Sequence, residues 1–251
     1  MPWVGRSRLG LARGALGPLF SAALVGMAIG AAGLAPLSDR LGRRRLLVSA
    51  MFLIGLSMLA VSLIADSESI AVFAVLRFLS GLGIGIIFGS APALVSEFMP
   101  GRFRSLAVSV VVMGYPVGAV LAGPIANALI PEFGWASVFT AGGLLTICMG
   151  LLTLALLPES PEFLAGRAGF WPDRATEVNK LLGRMRRAAI SDIASVVPAV
   201  PTISVVAILT PERRVRTLAL WLIYFMGFLA MYFMLSWIPT LFVDSGYTRV
   251  Q

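Results

Sequence analysis

Long uncharged runs alternate with short polar segments along most of the chain. Residues 15–37, 46–65, 105–130, 135–157 and 217–243 contain no charged side chain, and 70–96 contains one, Arg77. Each run reaches the ~20 apolar residues that a helix needs to cross the hydrocarbon core of a bilayer. Backbone groups surrounded by lipid need partners within the same segment, so each run predicts a helix. The pattern therefore predicts an all-α, polytopic membrane protein with six transmembrane helices. Glycines and prolines inside the runs fit this reading, because membrane helices tolerate both. A seventh apolar stretch, 203–209, is too short to span. The first run follows Arg6, Arg8 and Arg13. A cleaved signal peptide would look similar at its start, but this run is too long for an h-region and no A-x-A site follows.

Composition supports the same picture. Hydrophobic residues make up 58% of the 251 and charged residues 13%, against about 25% charged in soluble domains. Such a chain cannot cover itself with polar surface, which makes the lipid bilayer its expected surroundings. The net charge of +8 does not point to nucleic acid, whose binders gather their basic groups on one face of a soluble module. Here those groups are parcelled between apolar runs. One cysteine, Cys148, and no histidine argue against disulfide frameworks, zinc sites and histidine-based catalysis. No nucleophile–base pair is visible. No enzyme activity and no cofactor are expected.

Basic residues also set the orientation. Segments 38–45, 99–104 and 158–216 are rich in arginine, whereas the intervening 66–69 and 131–134 have no basic residue. By the positive-inside rule the three basic segments are expected in the cytoplasm of a bacterial inner membrane. Arg6, Arg8 and Arg13 would then lie outside, against the rule. The densest knot, Ser38-Asp-Arg-Leu-Gly-Arg-Arg-Arg-Leu-Leu47, is expected to be a cytoplasmic turn between antiparallel helices. On charge alone its arginines need do no more than meet anionic headgroups.

The order of residues adds a resemblance. Ala35-Pro-Leu-Ser-Asp39-Arg40-Leu-Gly42-Arg43-Arg44 resembles the loop signature between the second and third helices of major facilitator superfamily transporters, with Ala35 where glycine is usual. Arg77-Phe-Leu-Ser-Gly81-Leu-Gly-Ile-Gly85 resembles that family's fourth helix. Ser96-Glu97-Phe-Met-Pro100-Gly-Arg-Phe-Arg104-Ser resembles the entry to its fifth. Leu157-Pro-Glu159-Ser-Pro161 resembles the Pro-Glu-Ser-Pro-Arg motif after the sixth, with Glu162 replacing arginine. The phrasing is similar to the aromatic acid/proton symporter group over roughly 14–247. The resemblance implies helices two to seven of twelve: 1–157 as five helices of the N-terminal half without the first, 158–216 as a cytoplasmic central loop, and 217–251 as the first helix of the other half. Residues 172–190 of that loop have basic, amphipathic helical potential.

What the resemblance implies about function is proton-coupled uptake of an aromatic acid or related organic anion. A sugar or metabolite symporter, a drug/proton antiporter and a non-transporting remnant stay open. A Gly-Pro pair at Gly123 is similar to the antiporter signature, but Asn127 and Ala128 replace its glycines. The small organic anion and protons are the expected partners.

Candidate residues follow. Arg77 is a charge deep in an apolar run, which costs about 2.5–3.5 kcal/mol. It either meets a substrate carboxylate or reaches toward the outer interface. Tyr224 and Tyr232 can stack on an aromatic ring and donate a hydrogen bond, and Tyr115, between Gly114 and Pro116, is a further substrate-binding candidate. The resemblance implies a cytoplasmic gating motif of Asp39, Arg40, Gly42, Arg43, Arg44, Glu97, Arg104 and Glu159, of which Asp39, Arg43, Glu97, Arg104 and Glu159 form either a charge network or five hydrated loop charges. Glycines four apart, Gly26 with Gly30, Gly81 with Gly85 and Gly89, and Gly114 with Gly118, predict close helix packing.

Overall fold

The computed structural model describes residues 13–64, 69–160 and 210–244, with isolated positions between 163 and 183. Among these residues every regular element is helical. Helix α1 spans Arg13–Ile29, α2 Ser38–Leu41, α3 Arg43–Leu63, α4 Ile70–Phe98, α5 Gly101–Phe133, α6 Ala136–Leu156 and α7 Arg214–Asp244. Among the described residues six helices are long and apolar enough to cross a membrane. The amphipathic segment expected at 172–190 lies almost wholly outside the described residues, as does the short run 203–209.

The first run does not stay α-helical to its end. After Ile29 the chain makes a π turn, Gly30–Leu34, then a 3₁₀ turn, Ala35–Leu37, before α2. Pro36 lacks an amide hydrogen and clashes with the preceding turn of a regular helix. Widening the turn before it and tightening the turn around it accommodates the ring. By contrast, α5 continues through Pro116, Pro124 and Pro131.

Two of the charged segments, 38–45 and 99–104, are shorter as loops than the charge pattern predicts. Only Gly42 interrupts the helical path between α2 and α3, at φ 104°. Asp39 and Arg40 ride on α2, and Arg43, Arg44 and Arg45 form the first turn of α3. Likewise Met99 and Pro100 alone separate α4 from α5, so Arg102 and Arg104 are helical. Arginine is a good helix former. Charge marks where a helix leaves lipid, not where it ends.

The chain divides into two compact units, Met1–Pro198 and Ala199–Gln251. In the first, α4 is central. It packs along α1 on one side and α3 on the other, α3 packs in turn against α6, and α5 touches α4 and α6 more lightly. The outside is apolar while small polar residues are found inside: Leu63 is 85% exposed and Val120 74%, whereas Ser57, Ser80 and Ser90 are buried, as are Leu46, Ile54 and Ile86. That inversion suits a lipid solvent, where helices associate by close packing. The second unit is represented by α7.

The spacing of glycines predicts packing correctly at two of its three places. A Cβ on Gly26 or Gly30 would stand 2.2 or 2.1 Å from the carbonyl oxygens of Phe78 or Leu82 on α4. One on Gly81 or Gly85 would stand 2.1 Å from those of Ala23 or Met27 on α1. The helices therefore meet backbone to backbone. A Cβ on Gly114 or Gly118 of α5 would meet nothing within 4 Å among the described residues. Four-residue spacing shows that one helix face is small, but not that another helix covers it.

Candidate functional site

At one end of the first unit several charged side chains meet. Arg43 pairs with Asp39, one turn back, at 3.2 Å and with Glu97 at the end of α4 at 2.6 Å. The two bonds differ in weight. The Asp39 side chain is 67% exposed, and such an ion pair contributes ~0–1 kcal/mol. The Glu97 side chain is 2% exposed, so removing its partner leaves a buried charge at a cost of about 3–5 kcal/mol. The other oxygen of Glu97 accepts a short hydrogen bond from Ser160 Oγ. Ser160 itself has no exposed surface. Its Oγ also accepts the Phe163 amide at 3.1 Å, the bond an N-cap side chain makes. Charge and motif reasoning about the Pro-Glu-Ser-Pro stretch singled out the glutamate and passed over this serine. A fully buried hydroxyl beside a carboxylate is visible only in three dimensions.

Glu159 joins the network through backbone, not through an arginine side chain. Its Oε1 accepts the Arg44 amide at 2.9 Å and the Ser160 amide at 3.1 Å. Arg44 is the second residue of α3, whose N-cap, Gly42, has no side chain to supply. The carboxylate from beyond α6 thus does the capping, where helix-end partial charge favours an anion. Arg44 returns the contact by donating to the carbonyl of Leu154 in the last turn of α6. Arg104 departs from expectation. Its Nε bonds the Ser96 carbonyl at 3.0 Å, and no ion pair to it occurs among the described residues. It closes the end of α4, because its place on the first turn of α5 brings it beside those carbonyls. Arg40 stays on the exposed turn of α2.

Gly42 is required twice over. Its φ is positive, and a Cβ there would lie 2.7 Å from Glu159 Oε2. Gly42→Ala is expected to lower stability by about 2 kcal/mol, from backbone strain and a displaced cap. Thermal unfolding in detergent measures this. In a Glu159→Ala background the same substitution should do less, since one of its two clashes has gone; equal losses in both backgrounds would refute the capping contact.

The second feature lies inside the bundle. Arg77 on α4 is half-buried, and its guanidinium sits 5.0 Å from the ring centre of Phe139 on α6. Phe139 meets Trp135 edge-on at 5.9 Å, and Trp135 lies 6.2 Å from Phe73. No carboxylate pairs with Arg77 among the described residues. Beside it is a cavity of about 140 Å³ lined by Ile54, Ser57, Met58, Ser80, Ile84 and Phe139, among others.

Tyr115 is elsewhere. It meets Phe88 edge-on at 5.4 Å in a cleft of about 290 Å³ between α4 and α5, walled by Ile84, Ile87, Pro92 and Val111. Positions 77 and 88 are about 16 Å apart along α4 at 1.5 Å per residue. The structure therefore does not bring Arg77 and Tyr115 to one single-ring ligand, although Ile84 borders both spaces. Tyr224 lies exposed on α7, in the other unit. Tyr232 falls on the same helix, with its side chain outside the described residues. Among the described residues no acidic or cysteine cluster is arranged to hold a metal.

Comparison with known proteins places this architecture. A 4-hydroxybenzoate transporter, PcaK, of Pseudomonas aeruginosa is 40% identical over 248 residues, covering 96% of this chain and 54% of the relative. A gallate transporter of Pseudomonas putida is 40% identical, covering 94% and 52%. The 3-(3-hydroxy-phenyl)propionate transporter of Escherichia coli is 32% identical, covering 94% and 50%. The chain thus spans about half the length of the curated relatives it matches. Among solved structures, the xylose transporter XylE from E. coli, partially occluded and inward open, aligns with a TM-score of 0.58 at 22% identity. That alignment covers 76% of this chain and 48% of XylE, and it speaks for the fold alone. The family model described as Major Facilitator Superfamily matches residues 1–251, and with its membrane-crossing helices and its Gly42 turn the chain belongs to that superfamily of multi-pass membrane transporters, which are not enzymes.

Proposed function

We propose that this chain supplies a large part of a proton-coupled importer of aromatic carboxylates in a bacterial inner membrane. In this reading 1–157 belongs to the N-terminal half, 158–216 is a central loop and 217–251 begins the second half. The end that carries Asp39, Arg43, Glu97 and Glu159 faces the cytoplasm, as the distribution of arginines favours. There the network ties the ends of α3, α4 and α6 together and must part when that side opens.

The observation that carries the reading is Arg77. A guanidinium in an apolar bundle, without an acidic partner among the described residues and next to a cavity, is placed to receive an anion. Planar, forked donors match a carboxylate in two bonds. The names of the relatives, 4-hydroxybenzoate and gallate transporters, supply the substrate class. Tyr115 offers a stacking surface in the Phe88 cleft, and Tyr224 and Tyr232 remain substrate-binding candidates from the sequence.

Membrane vesicles carrying the polypeptide that contains this chain test the proposal. Labelled 4-hydroxybenzoate is expected to accumulate when the outside is acidified, and a protonophore is expected to abolish the accumulation. Accumulation of xylose in its place, efflux instead of uptake, or indifference to the protonophore would each overturn the corresponding part.

A further inference from the structure

The walls of the Arg77 cavity carry a second kind of chemistry besides charge. Ser57 on α3 and Ser80 on α4 both line it, and both are buried, at 5% and 9% exposure. Each hydroxyl has already committed its proton. Ser57 Oγ donates to the Leu53 carbonyl at 2.6 Å, and Ser80 Oγ donates to the Arg77 carbonyl at 2.9 Å. A hydroxyl has one proton and two lone pairs, so what these serines offer the cavity is acceptor oxygen. Arg77 offers only donors. The remaining walls, Ile54, Met58, Val61, Ile84 and Phe139, are apolar. The volume, about 140 Å³, is close to the ~150 Å³ of an engineered cavity that holds one benzene molecule.

From this we infer that Ser57, with Ser80 in support, is a specificity-determining residue that reads a hydroxyl group on the ring of a monocyclic aryl carboxylate. The inference rests on the reading of Arg77 as the carboxylate's partner. The carboxylate meets the guanidinium on α4. The ring lies among Phe139, Met58 and the aliphatic side chains. A phenolic O–H then donates to the serine oxygen on α3, a different helix from the one that carries Arg77. Phenol is suited to this because it brings the proton that the serines lack. A ring without a hydroxyl leaves a buried acceptor unmatched, and one bearing only an acceptor, such as a methoxy group, sets oxygen against oxygen. Helical serines commonly bond the carbonyl one turn back. What distinguishes these two is that both line a ring-sized space beside a cation.

The experiment compares dissociation constants of benzoate, 4-hydroxybenzoate, 3-hydroxybenzoate and 4-methoxybenzoate for the polypeptide carrying this chain in lipid nanodiscs. At least one hydroxybenzoate is expected to bind about tenfold more tightly than benzoate, the worth of one neutral hydrogen bond in a buried site. The methoxy compound is expected to bind no better than benzoate. Ser57→Ala should bring that ratio close to one while leaving benzoate affinity in place, because only the hydroxyl's partner has gone. Ser80→Ala should reduce the ratio in part. Ser90→Ala, a buried serine that does not line this cavity, should leave it unchanged and so reports on folding. Equal affinity for benzoate and both hydroxybenzoates, or a preference that survives Ser57→Ala, overturns the inference and leaves the Arg77 reading standing. If Arg77→Ala changes the affinity of none of these acids, the Arg77 reading falls and this inference falls with it.

Discussion

Arg77→Ala is expected to abolish aromatic acid uptake, with affinity reduced at least about 100-fold. Truncating one partner of a buried, hydrogen-bonded charge pair costs 2–5 kcal/mol or more, and 2.8 kcal/mol is already about a hundredfold. Arg77→Lys should recover little, since an ammonium is a point charge without the fork and does not stack in the same way on the Phe139 ring. The fold should respond in the opposite direction. An unpaired guanidinium in an apolar bundle costs about 2.5–3.5 kcal/mol, while the contact with Phe139 returns roughly 1 kcal/mol. Arg77→Ala is therefore expected to leave thermal stability unchanged or to raise it while transport is lost. Binding by scintillation proximity and unfolding by intrinsic fluorescence measure the two effects separately. A variant that unfolds and loses binding together would mean that Arg77 is a structural residue, and retained uptake would mean that it is neither structural nor functional.

The second large effect concerns the crossing of α1 and α4. Gly85→Val should prevent α1 from docking, because even the first carbon would lie 2.1 Å from the Met27 carbonyl oxygen. The obstacle is backbone and not the movable end of a side chain, so the helices must separate. Overpacking costs typically 1–3 kcal/mol where a core can adjust. Here close approach is itself the source of association, since lipid removes the hydrophobic drive between helices. Losses at or above the top of that range are expected for Gly85→Val and Gly30→Val. Gly118→Ala on α5, with nothing within 4 Å, should be neutral or stabilise by up to ~1 kcal/mol through helix propensity. Thermal unfolding in a single detergent compares all three. Similar midpoints for Gly85→Val and Gly118→Ala would show that the α1–α4 contact contributes nothing.

The features legible in the sequence are those imposed by the solvent. Residues 46–65, 70–96 and 135–157 correspond to α3, α4 and α6 within a few positions, because lipid demands apolar length and an internally satisfied backbone of any segment that crosses it. The Gly42 break was legible for a similar reason: few residues other than glycine sit easily at φ 104°. Arg77 was also conspicuous, as a charge where charge is expensive. These are local constraints, and one segment is enough to reveal each.

What required the tertiary structure are the pairings. Nothing in the order of residues distinguishes Glu159 as an N-cap for α3 from Glu159 as an arginine partner, because a carboxylate suits both and their choice depends on which helix end it reaches. Arg104 could not be separated from the ion pairs by type, only by its place beside the last carbonyls of α4. Gly114 and Gly26 have the same spacing to a second glycine, yet only Gly26 faces another backbone. Ser57 and Ser80 look like ordinary small helix residues until Arg77 and Phe139 enclose a space with them. One chain segment can state its own relation to lipid and to φ; whether a hydroxyl, a carboxylate or a bare Cα meets a partner depends on a second segment far away in sequence, and only packing selects it.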